Sequence, residues 1–509
     1  MLRLPGYTES VWIDELYTSK IFTGQPIVLL KTLYSDIHPP AYFLFIHFWG
    51  RLFGDGEIML RLPALLAGLG SICLAGRLVS ARLGSWSGLA AGGMMALSPV
   101  HIWYSQEARP YSMGVFLVLA TLVARDGWVT ETGRRRAPLF FSLALLGAVF
   151  LHYYMAVFAL LFAGLALVQR RGPWRGILAV CTATLGLLAL FMAAKLHFSD
   201  VPTAKGYLRG FDLLEAWQLF FEWFLTGRAL GPLERPPVAG GWILMVLQFV
   251  AVPLFLRGVW RLGRADGGVL LLAMVALPAF LFGLNLTGLD QTYIERSALP
   301  SLPLFWCVMA AGATGFGRPL VGRCVGTLGV GAAALILTAY FQRGDAWTVY
   351  KPNPDWRSAA AWVGERIGED GPLEMDSDHV SPTALSYYDP RLQESKNFVR
   401  NEGKIEALFR TTGGLFGSSG FPGEPIQAFL RNQIHAFEAY VEGLERGARV
   451  LIHELAVHGI PRPQPGSRRF LLVYQVPSPR AKAILQDPAV RVVDQASFRS
   501  LDLYELIWQ

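Results

Sequence analysis

From residue 59 to residue 341 the chain is a succession of apolar runs, fifteen to twenty-two residues long, cut mostly by short segments rich in arginine. A helix needs about 20 mostly apolar residues to cross the hydrocarbon of a bilayer. Backbone exposed to lipid at that depth must satisfy its own hydrogen bonds, which leaves helices or a closed barrel. Runs of this length are twice what a barrel strand uses, so they predict helices. The spacing places ten spans at 59–79, 86–104, 110–125, 137–151, 153–169, 174–195, 241–260, 268–288, 297–315 and 322–341. Composition agrees: of 509 residues 53% are hydrophobic and 16% charged, where a soluble domain carries about a quarter charged.

Two boundaries need a reason. The stretch 137–169 is too long for one helix, and His152-Tyr153-Tyr154 interrupts it with polar groups, so it divides there. The segment 41–53 (AYFLFIHFWGRLF) is short and aromatic, which predicts an interfacial helix lying along the headgroups. After Gln342 the sequence turns polar. Three regions follow: 1–58, an external segment with an acidic pair and the interfacial helix; 59–342, the membrane domain; and 343–509, a soluble α/β domain. In the last, Trp356–Ile367 reads as an amphipathic helix and Arg449–Ile452, Arg469–Val476 and Leu501–Ile507 as strands. Its stretch GGLFGSSGFPGEP (413–425) lacks a phosphate-loop lysine and reads as a flexible loop.

Orientation follows from the loops. Arg77/Arg82, Arg134 to Arg136, Arg170/Arg171/Arg175, Arg257/Arg261/Arg264 and Arg318/Arg323 occupy alternate loops, which the positive-inside rule assigns to the cytoplasm. The net charge of +7 is therefore topological and excludes nucleic acid as a partner. The remaining loops and the C-terminal domain face outward, in a multi-pass protein of the cell membrane. Ten spans then put the N-terminus outside as well. Met1–Tyr7 has no signal or anchor character, so either this segment is translocated unaided or a further helix is encoded upstream of Met1, and the second is the expectation. The four cysteines, Cys73, Cys181, Cys307 and Cys324, lie in or beside apolar runs with neither disulfide nor metal spacing, and read as small packing residues.

Ionisable groups beside a membrane core are costly and are paired or functional. Here they gather in the outward loops. Asp14 and Glu15 form an acidic pair that is either a solvated feature or a base. In Asp36-Ile37-His38-Pro39-Pro40 the proline pair starts a helix and holds His38 at its mouth. The run Ser98 to Tyr111 (SPVHIWYSQEARPY) carries Glu107, Arg109 and Tyr111. Its acid and base could neutralise each other, and its aromatics could be belt residues. His152 interrupts the long apolar run. Tyr293 and Arg296 open the helix of 297–315, where an arginine either binds an anion or snorkels. Few ionisable groups fall at mid-span depth, and Lys195 and His197 sit near a helix end. One external cleft could gather these groups around an anionic lipid, guanidiniums holding phosphate and a carboxylate accepting a proton. Trp217, Phe220, Phe221, Trp223 and Phe224 read either as interfacial anchors or as a lipid groove. The histidines lack ligand spacing, so neither a metal nor another cofactor is expected.

The acidic pair, HPPAYFLFIHFWGRLFGDGEIMLRLPALLAG, ALSPVHIWYSQEARPYSM and the interruption at LHYY together resemble the GT-C fold membrane glycosyltransferases. The likeness is to the branch of protein mannosyltransferases and aminoarabinose transferases, glycosyltransferase family 39-like. It covers about residues 8–360 well. It implies transfer of a sugar from a polyprenyl-phosphate-linked donor to an extracytoplasmic acceptor, a protein, glycolipid or cell-wall glycan. The family's acidic loop carries over to Asp14 as catalytic base, with Glu15 beside it. Its second external loop matches Gln106 to Arg109, so Arg109 would contact donor phosphate or order Glu107. Substrate-binding candidates are then His38, Glu107, Arg109, Tyr111, His152, Tyr293 and Arg296. The family places a helix ahead of its acidic loop, which this sequence does not show. A lipid-linked oligosaccharide ligase or polymerase of the same fold is the nearest alternative. A lipid flippase or transporter is another, against which stand the scarcity of mid-span charge and the lack of a clear repeat.

Overall fold

The computed structural model describes residues 5–23, 29, 38–54, 56–130, 136–170, 172–198, 210–227, 241–288, 292–316, 319–342, 354–366, 373–376, 381–393, 468–474, 479–498 and 501–508. They form two compact units. One comprises Met1–Glu9 with Tyr17–Pro352, the other Ser10–Leu16 with Asn353–Gln509.

The first unit is helical. After α1 (Ile13–Thr23), which begins in the second unit, come α2 (Ala41–Phe53), α3 (Glu57–Leu83), α4 (Ser85–Ala96), α5 (Pro99–Tyr104), α6 (Tyr111–Val129), α7 (Ala137–Leu151), α8 (Ala156–Gln169), α9 (Trp174–Phe198), α10 (Leu213–Gln218), α11 (Gly241–Arg264), α12 (Gly268–Leu286), α13 (Ser301–Ala313) and α14 (Pro319–Gln342). Among the described residues six helices are long and apolar enough to cross a membrane: α3, α6, α9, α11, α12 and α14. Helices α7 and α13 and the run Tyr153–Gln169 are apolar but shorter. The span expected at 86–104 is broken. Helix α4 stops at Ala96 and α5 restarts at Pro99, because Ser98 takes the cap position and proline the first turn. The interruption at His152 also exists: the chain leaves α7 extended at His152 and re-enters through a 3-10 turn, Tyr153–Met155.

Helix α2 buries Tyr42, Phe43, Ile46 and His47 and exposes Leu44, Phe45, Phe48, Leu52 and Phe53. An apolar outer face is what an interfacial helix presents to lipid. At the centre stands α13, every residue of which is buried. It lies against α11 at backbone distance, since a Cβ on Gly312 would strike the Leu254 carbonyl and one on Gly258 the Val308 carbonyl. Small residues that let helix backbones touch are the usual means of packing in lipid, where helices gain no hydrophobic drive from one another.

In the second unit four strands, β1 (Leu373–Asp376), β2 (Arg468–Tyr474), β3 (Val490–Phe498) and β4 (Leu501–Trp508), form one sheet in the order β1-β2-β4-β3. Strands β1 and β2 are parallel, and β4 runs antiparallel to both of its neighbours. Helix α15 (Trp356–Arg366) buries Trp356, Ala359, Ala360 and Val363, the i, i+3, i+4, i+7 stripe of a helix with one apolar face. Helix α16 (Ser381–Tyr388) packs on α15. Ile484 and Leu485 of α17 (Pro479–Gln486) meet Leu471 and Leu506 of the sheet. The helix expected at Trp356–Ile367 and the strands expected at 469–476 and 501–507 are therefore present, and β1 and β3 are additional. The expectations at Arg449–Ile452 and 413–425 lie outside the described residues.

Candidate functional site

The QEAR segment is a buried turn between two helices. Ser98 accepts from the His101 amide and starts α5. The helix ends after one and a half turns, where the Ser105 hydroxyl donates to the His101 carbonyl at 2.5 Å. Gly68 of α3 makes room for this, as a Cβ there would collide with the Ser105 side chain. The Arg109 amide donates to the Glu107 carbonyl at 2.8 Å, a tight bend from which Pro110 starts α6. The Ser112 hydroxyl closes the turn on the Tyr104 carbonyl at 2.8 Å. Gln106, Glu107 and Arg109 are each buried. The Tyr104 and Tyr111 rings meet edge to face at 5.2 Å, and Tyr104 lies in the electrostatic reach of Glu107, Arg296 and Glu295. An ionised side chain taken out of water costs several kcal/mol unless partners replace the hydration, so solvation does not account for a buried glutamate and arginine in one turn.

Three further segments meet this turn. The Arg296 guanidinium stands over the Tyr111 ring at 5.8 Å. The Tyr154 hydroxyl donates to the Thr292 carbonyl at 2.6 Å, tying the 152–154 turn to the segment that carries Tyr293 and Arg296. Pro110, Tyr111, His152, Arg296 and Pro300 border a cavity of about 10 Å³, room for about one water. His38 approaches His152 edge to face, ring centres 6.2 Å apart. Loss of hydration, then the neighbouring His38, Arg296 and Arg109, push the His152 imidazole down to about 3, so it is neutral at physiological pH. Lys195 is almost wholly buried. Its ammonium donates to the His38 carbonyl at 3.5 Å and to the Tyr153 hydroxyl at 3.4 Å.

Of the residues singled out by sequence, His38, Arg109, Tyr111, His152 and Arg296 thus come together, with Glu107 in the same turn. Tyr293 is fully buried and packs edge to face on Phe211 at 4.6 Å. Asp14 and Glu15 belong to the second unit. They open helix α1 instead of lying in a loop, and Glu15 accepts from the Trp12 amide at 2.9 Å. That is the back-reaching half of a capping box, which gives the buried Glu15 a structural task and leaves Asp14, half-buried, beside it.

Lys195 is the member that sequence placed only near a helix end; an isolated lysine closing a long apolar run was its signal. Within the aromatic group of 217–224, Trp217 stays exposed while the others turn toward the core. Phe220, Phe221 and Phe224 stack among Phe255 of α11 and Phe305 of α13, and Trp223 is fully buried. A π-helical turn over Leu219–Phe224 directs them inward, which a count at helical spacing does not foresee. Among the described residues no three His, Cys, Asp or Glu side chains gather to hold a metal ion.

Residues 37–196 match the family model described as dolichyl-phosphate-mannose-protein mannosyltransferase. No curated protein matches the chain by sequence. Among solved structures it is similar to ArnT from Cupriavidus metallidurans in the apo state, at 12% identity with a TM-score of 0.53 over 99% of this chain and 95% of that one. It is likewise similar to the same protein bound to undecaprenyl phosphate, at 12% identity and a TM-score of 0.50 with the same coverage. The chain has the GT-C fold of the membrane glycosyltransferases, and the part of it that carries HPP, QEAR and HYY is the part that matches the protein mannosyltransferase family.

Proposed function

We propose that the protein is an integral membrane glycosyltransferase that moves a sugar from a polyprenyl-phosphate donor to an acceptor outside the cytoplasm, inverting the anomeric centre in one displacement. The observation that carries this is that Arg296 borders one cavity with His152 and Tyr111, while Arg109 lies within electrostatic reach of the same imidazole. A phosphate suits two guanidiniums set close together, through paired charge-assisted hydrogen bonds. The ArnT structure with undecaprenyl phosphate supports the same donor class here.

In this reading Arg109 and Arg296 neutralise the polyprenyl phosphate as it leaves, so that negative charge developing on the bridging oxygen is stabilised in the transition state. Lys195 lends a third cation through Tyr153 and His38. Asp14 takes the proton from the acceptor hydroxyl or amine as it attacks the anomeric carbon. The ten-span topology, with the site and the C-terminal domain on the outer face, is part of the same proposal.

The test is incubation of membranes containing the protein with radiolabelled polyprenyl-phosphate sugar. Label moving into a product of new mobility, and losing its lipid, supports transfer. Label that changes leaflet while staying on its lipid would identify a flippase and end the proposal.

A further inference from the structure

The far ends of α3, α6 and α7 hold a groove that the transfer reaction does not use. It has a volume of about 910 Å³, inside the range of small-molecule sites. Tyr111 of the candidate site and Asp126 of the groove are fifteen residues apart on α6, which at the helical rise is about 22 Å, so the rim of the groove and the candidate site lie at opposite ends of that helix. Leu74, Phe116, Ala120 and Phe140 line it toward the bilayer interior, and Arg77, Thr130 and Arg136 toward the helix ends. Both arginines are exposed, and neither makes a side-chain hydrogen bond or ion pair among the described residues.

Among the described residues one carboxylate, Asp126, borders the groove, and it is already engaged. Arg82 bonds it at 2.6 Å and Arg125 approaches at 3.6 Å. The lining therefore presents two guanidiniums, Arg77 and Arg136, beside a carboxylate already neutralised by Arg82 and Arg125, above an apolar trough that opens between membrane helices. That combination matches a ligand with an anionic head and hydrocarbon tails, and basic pockets between helices at the cytoplasmic headgroup level are the known form of such recognition.

We propose that this groove binds one anionic phospholipid of the leaflet opposite the candidate site, its phosphate held by Arg77 and Arg136 and an acyl chain laid along Phe116, Ala120 and Phe140. The lipid wedges α3, α6 and α7 together at the end away from the QEAR turn. The proposal is independent of which sugar or acceptor the protein uses.

Native mass spectrometry of the full chain in detergent, with equimolar phosphatidylglycerol and phosphatidylcholine, tests it. One phosphatidylglycerol should be retained with about tenfold preference, the scale of two arginines at an anionic headgroup. Arg77→Gln with Arg136→Gln should bring the two lipids to parity. Ala120→Phe, which fills the trough and leaves the charges, should remove the bound lipid of either kind. Size-exclusion profiles confirm that each variant is folded, and both arginines are exposed enough to change without loss of packing. Equal binding of the two lipids to the unaltered protein, preference that survives the double substitution, or displacement by undecaprenyl phosphate at equal concentration would each overturn the proposal.

Discussion

The Val11 amide donates to the Tyr388 hydroxyl at 2.8 Å, across 377 positions of sequence. Ser10 next to it reaches Asp355 at 3.5 Å and accepts from the Arg357 amide at 3.3 Å. The segment just before Asp14 is thus fastened to α15 and α16 of the C-terminal unit. That assigns the C-terminal unit a part in holding the proposed base, whatever else it binds.

Tyr388→Phe tests the fastening. It strands the amide of fully buried Val11, at a cost of about 1–3 kcal/mol. Hydrogen exchange over residues 10–16 should accelerate about tenfold or more, while exchange in α13 is unchanged. Equal protection in both proteins would show that the hydroxyl is not what holds the segment.

Asp14→Asn should lower transfer by about 10²–10⁴-fold, the usual worth of a positioned base, and leave donor-lipid binding intact. Glu15→Gln should instead lower thermal stability through the lost cap, by about 1 kcal/mol, with a smaller effect on turnover. If the two variants exchange these effects, the base is Glu15.

Arg109→Lys and Arg296→Lys keep charge but lose the planar fork that grips a phosphate by two bonds. Donor KM should rise about ten- to a hundredfold in each, the scale of one or two charge-assisted hydrogen bonds. Steady-state kinetics with unchanged KM and lowered kcat would place them on the transition state alone.

Lys195→Met removes a buried cation and leaves the Tyr153 hydroxyl and the His38 carbonyl without it. Donor affinity should fall about tenfold, while affinity for an uncharged acceptor analogue stays the same. A parallel loss of both affinities would make Lys195 a packing element.

The His152 imidazole, held near 3, makes a pH prediction with a definite sign. Its folded value lies below the ordinary 6.5, so between the two the unfolded chain binds the proton and the folded one does not. Its contribution to stability is therefore full above pH 6.5 and is lost as pH falls toward 3. By pH 4.5 the loss reaches at most about 2–3 kcal/mol. The thermal midpoint of His152→Gln, followed from pH 7 to pH 4.5, should fall less steeply than that of the unaltered protein. Identical slopes would mean that His152 takes up its proton normally.

The helical architecture was legible because apolar length is a local property: each long run declares itself without reference to its neighbours. The HPP, QEAR and HYY motifs were legible because polar residues stand out against such a background. What sequence did not reveal depends on placement. Ser98-Pro99 looks like ordinary punctuation until α4 is seen to stop at Ala96. The inward turn of Phe220, Phe221 and Phe224 depends on a π-helical winding that periodicity at 3.6 residues does not anticipate. Lys195 carries no signal of direction. Strands β1 and β3 were missed for different reasons: β1 is four residues long, and β3 is interrupted by Arg491, Asp494, Gln495 and Ser497 and has no buried position along its length.

Helix α13 buries every residue it has and touches α11 backbone to backbone. Such an element has one permitted depth, since neither glycine contact tolerates a slide along the axis. Arg296 stands five residues before it, so the height of its guanidinium above the bilayer midplane is set by a post that does not adjust. In the proposed reaction, a donor of different headgroup depth must then come to the arginine, and the reach of the lipid phosphate would become a selection rule for substrates, imposed by two glycines well away from the sugar.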